Sequence, residues 1–148
     1  MALDTVLLAV GGIDDAQADR LAAVTEDIAG PADARVVLGH VFTEDGYEDA
    51  LDRLDLTGET TPDDIAERNP TVRRLRDRFE SAGVSVAHRG RVGDRAAGIV
   101  TIAETIDADM VVVGGRRRSP TGKAVFGSTT QEILLDAPCP VTFVRRDA

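Results

Sequence analysis

Runs of consecutive apolar, largely β-branched residues alternate along this chain with stretches whose apolar positions recur every three or four residues. The first run, Leu3–Val10, is nearly continuous and ends in Gly11-Gly12, as a strand buried on both faces does. Asp14, with Gln17 three residues on, predicts a capping box for a helix whose apolar face carries Leu21, Val24 and Ile28, stopped by Gly30-Pro31. Arg35–Phe42 reads as a second strand. The section from Thr43 to Pro70 is acidic and broken by Gly46, Gly58, Pro62 and Pro70, which predicts loop plus a short helix begun at Thr61-Pro62. Asn69-Pro70 then caps and opens a helix with Val72, Leu75, Phe79 and Ala82 at helical spacing as far as Gly83. Val84–Val92 is a third strand. Gly93-Asp94 opens a helix with Ile99, Ile102, Ala103 and Ile106 on one face, and Asp109–Gly115 is a fourth strand. Ser128 or Gly127 caps a last helix bearing Ile133, Leu134 and Leu135, and Pro138 and Pro140 bracket a final strand, Val141–Val144.

Five strands separated by helices long enough for crossovers predict an α/β fold: an open five-stranded parallel sheet, doubly wound with helices on both faces in the Rossmann-like manner. At 148 residues the chain is expected to be one domain, 1–148, large enough to need neither disulfide nor metal for its core. Cys139 is the single cysteine, and no apolar run approaches the length of a membrane span. A soluble, cytoplasmic protein is the expectation. Charge sharpens it. There are 26 acidic against 17 basic residues, a net charge of -9, which points to a salt-adapted (halophilic) or GC-rich source and disfavours nucleic acid and anionic membrane as partners.

Against that acidity, no Asp or Glu occurs from Met110 to Gln131, while Arg116, Arg117, Arg118 and the only lysine, Lys123, do. These cations follow a strand's carboxyl end and precede a helix, the position at which open α/β sheets bind ligands. Free amides at Ser128, Thr129 and Thr130 and the positive end of the helix dipole would favour an anion there. Gly114 and Gly127 allow close backbone approach, and the Ser128 and Thr129 hydroxyls add donors. The chemistry suits phosphate.

The order of elements, the fourth strand MVVVGG, the loop after it and the tail GSTTQEILLDAPCPVTFV resemble the universal stress protein family over essentially the whole length. In the nucleotide-binding members of that family a glycine after the fourth strand is followed three residues later by a second, then nine residues, then Gly-Ser or Gly-Thr. Gly114 and Gly127-Ser128 fit the ends of that pattern, and Arg117 replaces the middle glycine. Gly11 stands where such members usually carry an aspartate, between the flanking strand residues Ala9 and Val10 and the helix. Val41 matches the residue whose backbone faces the adenine. The resemblance therefore implies a site for ATP, with Mg2+, built from Ala9, Val10, Gly11, Val41, Val113, Gly114, Arg117, Gly127, Ser128 and Thr129. Arg116, Arg118 and Lys123 would be further phosphate contacts. It also implies a homodimer paired through Val141–Val144, which would cover an otherwise exposed sheet edge.

Other phosphate motifs fail. After Thr121-Gly122-Lys123 a P-loop needs Ser or Thr for magnesium, and Ala124 stands there; Gly11-Gly12 lacks the third glycine of a dinucleotide fingerprint. The arginines at 73, 74, 76 and 78 read as a solvated helix face, and His40, His88 and Cys139 as structural. No catalytic constellation emerges, so the expected role is a dimeric sensor of a bound nucleotide, not an enzyme. Two alternatives stay open: a nucleotide-independent dimeric interaction protein with a degenerate site at Gly11 and Arg117, and a slow ATPase.

Overall fold

The computed structural model describes residues 2–54, 60–115 and 127–145. The elements run β1 (Thr5–Ala9), α1 (Asp15–Ala32), β2 (Arg35–Phe42), α2 (Glu44–Arg53), α3 (Pro62–Glu67), α4 (Pro70–Ser81), β3 (Val86–Val92), α5 (Arg95–Thr105), β4 (Met110–Gly114), α6 (Ser128–Asp136) and β5 (Val141–Val144). All five strands are parallel, in the order β3-β2-β1-β4-β5.

β1 is the central strand, and its near-total hydrophobicity follows from having helices on both sides. Leu8 lies between Leu38 and Val112, and with Val6 and Val36 it faces Leu21 and Ala22 of α1 and Val72, Leu75 and Phe79 of α4. Leu7, one residue earlier, lies between Val37 and Val111 and faces Ile99, Ile102 and Ala103 of α5. Successive side chains point to opposite faces, so a strand covered twice has no position left for a polar residue. Leu7 and Leu8 are fully buried. Each such side chain contributes about 1.5–3 kcal/mol of burial.

Three local expectations change. Gly30-Pro31 does not stop α1, which runs to Ala32 and ends where Asp33 adopts a left-handed conformation and its N–H reaches the carbonyls of Ala29 and Gly30. Proline forfeits only one bond in the last turn, and buried Ala29 anchors that turn to the core. The acidic stretch after Phe42 is not loop. Thr43 caps α2 by accepting from the Gly46 N–H at 3.1 Å, Glu44 and Asp45 favour its first turn, and Ala50 packs on Phe42, Ile65 and Ala66. Gly46 thus belongs to a helix cap. The arginines of α4 do lie on an exposed or half-exposed face, but two of them also pair with the neighbouring helix, which their pattern does not predict. Arg74 grips Asp19 of α1 with two bonds at 3.0 and 2.8 Å, and Arg78 holds Glu26 at 2.9 Å, so α4 is pinned to α1 as well as packed on it. Arg74 is 47% exposed, which keeps such a pair within about 1 kcal/mol.

The two outer strands are finished differently. On β3 the Gly90 N–H donates to Asp63 Oδ1 at 2.6 Å, and α3 lies so close that a Cβ on Gly90 would stand 2.6 Å from the Pro62 carbonyl carbon. Gly90→Ala is therefore expected to push α3 off β3 and cost about 2 kcal/mol, read as a lower urea midpoint. An unchanged midpoint would contradict this packing. On β5 the outer side has no strand partner among the described residues.

Candidate functional site

The sheet's crossovers reverse direction between β1 and β4, because the connection from β1 leads to β2 on one side while β4 and β5 follow on the other. Two neighbouring strands whose connections leave in opposite directions part at their carboxyl ends and leave a crevice. Ala9 and Gly11 form one wall of it, Val113 and Gly114 the other, Val41 and Ile99 continue the floor, and Thr129, Thr130 and Ile133 close it from α6. The space amounts to about 480 Å³ counting its open mouth.

Of the residues expected here, Ala9, Gly11, Val41, Val113, Gly114 and Thr129 are brought together. Val10 is not. Its side chain is 1% exposed and packs into the core on the α1 side, because a strand residue next to a lining residue must face the other way. Gly127 is buried at the head of α6, and Ser128 is exposed in its first turn. Arg116, Arg117, Arg118 and Lys123 lie outside the described residues.

The start of α6 differs from every other helix start described. Asp14, Thr43, Thr61, Asn69 and Asp94 each cap their helices with a side-chain oxygen. Gly127 at the head of α6 provides no such bond. The first amides of α6 therefore keep their donors at the crevice, together with the positive end of the helix dipole.

Four residues that the periodicity did not mark complete the site. Arg95 opens α5 and supplies the one charged side chain among the described lining residues. Ile13 and Thr130 extend the walls, and Thr130 Oγ1 reaches the Gly114 carbonyl at 3.5 Å. Gln17 braces the site from behind. The predicted capping box forms only in half: Asp14 Oδ1 accepts from the Gln17 N–H at 2.8 Å, but the Gln17 side chain turns inward, is 7% exposed and donates Nε2–H to the Gly115 carbonyl at 2.7 Å. A buried carbonyl at the end of β4 needs that donor, and Gly114 leaves room for it, since a Cβ there would meet Gln17 Nε2 at 2.5 Å. Gln17→Ala is expected to cost about 1–3 kcal/mol by stranding the carbonyl, measured by urea unfolding. A cost below about 0.5 kcal/mol would show the bond to be dispensable.

His40, next to Val41 on β2, is mostly buried against Phe42, with ring centroids 4.2 Å apart, and its Nδ1 has no partner. Burial first, and the Arg95 charge second, push its imidazole down to about 4, so it is neutral at physiological pH. Burial likewise raises the Cys139 thiol, with the Asp109 charge adding to it, which suits packing and not reactivity. Among the described residues there is no cluster of three or more His, Cys, Asp or Glu able to hold a metal, and no helix is long and apolar enough to cross a membrane.

Comparison with known proteins agrees with this architecture. The model of the universal stress protein family matches residues 2–145. A Thermus aquaticus protein described as a universal stress protein in the QAH/OAS sulfhydrylase 3' region is 32% identical over 145 residues, covering 95% of this chain and 98% of its own. A solved universal stress protein from Archaeoglobus fulgidus superposes with a TM-score of 0.71 at 26% identity, covering 95% of this chain and 97% of the other. A structure from the same organism, in complex with dAMP, gives 0.68 at 22% identity and covers 97% and 98%.

Proposed function

This chain belongs to the universal stress protein family, and from that premise we propose that its crevice binds an adenine nucleotide, ATP first among them, and that the protein works as a dimeric sensor of that ligand. The observation that carries the reading is the uncapped start of α6, opening onto the crevice opposite Gly114. Phosphates would sit on the amides of Ser128, Thr129 and Thr130, and the nucleoside would lie against Val41, Ile99 and Val113. The solved relative holding dAMP supports a nucleotide as ligand, as does the composition of the sequence between Gly115 and Gly127, which carries three arginines and a lysine and no acid directly before α6. Mg2+ would enter as the nucleotide's own counter-ion, because the described lining offers it only hydroxyl and carbonyl oxygens. Binding without rapid turnover is proposed, since that lining carries no carboxylate, histidine or cysteine to move a proton.

Titration of ATP with Mg2+ by calorimetry, at several salt concentrations, tests this. Saturable binding that weakens with salt is expected. No heat at millimolar ATP would remove nucleotide sensing and leave the nucleotide-independent interaction protein as the reading.

The dimer is proposed through β5. Its outer edge lacks a strand partner among the described residues, whereas Asp63 and α3 cover the opposite edge of the sheet. Leu135, on the helix leading into β5, is 77% exposed, an apolar side chain that a second copy could cover. Light scattering at tens of micromolar is expected to give twice the chain mass, and Val141→Pro, which removes an amide on the side of β5 turned away from β4, to give a monomer. A monomeric wild type would contradict the pairing.

A further inference from the structure

The crevice has a second end, and its chemistry is not that of a sugar hydroxyl site. After β1 the chain turns through Gly11, Gly12 and Ile13 before Asp14 caps α1. The backbone N–H groups of Gly11 and Gly12 have no hydrogen-bond partner among the described residues, while the turn they make points the Ile13 N–H back toward the Val10 carbonyl. Gly12 makes the turn at φ 69°, a left-handed conformation that glycine adopts without strain. No heavy atom comes within 4 Å of the place a Gly11 Cβ would take, so the backbone lies open to whatever enters the crevice.

Arg95 faces this turn from α5. Its Nη1 is 3.4 Å from the place a Gly12 Cβ would occupy, and the residue lines the crevice with Gly11 and Ile13. It is exposed and makes no ion pair or hydrogen bond among the described residues. The neighbouring carboxylate, Asp14, has Oδ1 engaged on the Gln17 N–H at 2.8 Å. A guanidinium left unpaired in a chain of net charge -9, beside successive open amides, is an arrangement for an anion.

We propose that Arg95 and the Gly11 and Gly12 amides form a second anion subsite, selecting nucleotides that carry a phosphate on the ribose 2' or 3' oxygen as well as on the 5' oxygen. The proposal rests on the nucleotide reading of the crevice, with the 5'-phosphate at α6 and the ribose edge turned toward Gly11. A 5'-phosphorylated nucleotide alone offers Arg95 only neutral hydroxyls. A phosphate on the ribose meets it with charge-assisted, two-pronged hydrogen bonds.

The test uses three isomers of equal phosphate content: adenosine 5'-diphosphate, adenosine 3',5'-bisphosphate and adenosine 2',5'-bisphosphate, each titrated by calorimetry into the full chain and into Arg95→Gln and Arg95→Lys. At least one bisphosphate is expected to bind about tenfold tighter than the 5'-diphosphate. Arg95→Gln should remove that preference, weakening the bisphosphate by about tenfold more than it weakens the 5'-diphosphate, and Arg95→Lys should keep part of it. Equal affinities in the wild type, or a preference that survives Arg95→Gln, would overturn the subsite while the 5'-diphosphate still bound. Failure of all three to bind at millimolar concentration would overturn the crevice reading and the subsite with it.

Discussion

Thr129→Glu is expected to abolish nucleotide binding while leaving the folded state as stable as the wild type or slightly more so. Thr129 stands in the first turn of α6 and lines the crevice, where the proposed phosphates would sit. A carboxylate there is favoured by the helix dipole by about 0.3–1 kcal/mol, because the first amides of α6 lack a side-chain partner. The same charge repels phosphate. At about 5 Å and an effective dielectric of about 20, each pair of unit charges costs about 3 kcal/mol, which is roughly two decades of affinity. Calorimetry and urea unfolding on the one variant separate the two effects. Undiminished ATP affinity in a folded Thr129→Glu protein would place the phosphates elsewhere.

Acid is expected to destabilise the protein through His40 by about 3 kcal/mol between pH 6.5 and 4. Burial, with Arg95 nearby, holds the folded imidazole down to about 4, whereas the unfolded chain has the ordinary value near 6.5. Between those values the unfolded state binds the proton and the folded state does not, so stability is complete above pH 6.5 and lost as pH falls through the window. One pKa unit is 1.36 kcal/mol, which gives the magnitude. His40→Phe keeps an aromatic ring beside Phe42 and discards the partnerless Nδ1. The difference in unfolding free energy between variant and wild type should therefore grow by about 3 kcal/mol from pH 7.5 to pH 4, on urea curves taken along the series. Parallel pH profiles would show that His40 is not buried in its neutral form.

How much of this was legible in the sequence depended on which signals survive without tertiary context. β1, β2, β4 and β5 announce themselves as apolar runs because a doubly covered parallel strand has no solvent side, and the caps at Asn69 and Asp94 combine a polar oxygen with a following periodic face. The helix after Thr43 left almost no trace, since Ala50 is its one fully buried residue and acids fill the rest. Gly46 reads as a breaker in one dimension and is a cap position in three. At the site, Gly114 and the Gly127-Ser128 pair could be found from loop composition, because glycine and missing carboxylates are local features. Arg95 could not. It sits 84 residues from Gly11 in an unremarkable helix start, and only the crossover from β3 through α5 to β4 brings it over the Gly11–Gly12 turn. Gln17 was visible but misassigned, since sequence spacing cannot distinguish a side chain that folds back on its own cap from one that reaches across to Gly115. Val10, implied by the resemblance as a strand residue flanking Gly11, turns its side chain into the core, as strand alternation beside the lining residue Ala9 requires.

The central claim is that the open amides at the start of α6 hold the phosphates of a nucleotide lying between β1 and β4. A crystal structure of the protein grown with ATP and Mg2+ tests it most directly. Phosphate oxygens are expected within hydrogen-bonding distance of the Ser128, Thr129 and Thr130 amides, with the nucleoside on Val41 and Val113. A nucleotide bound on another surface, or a crevice that stays closed to it at saturating ligand, would contradict it.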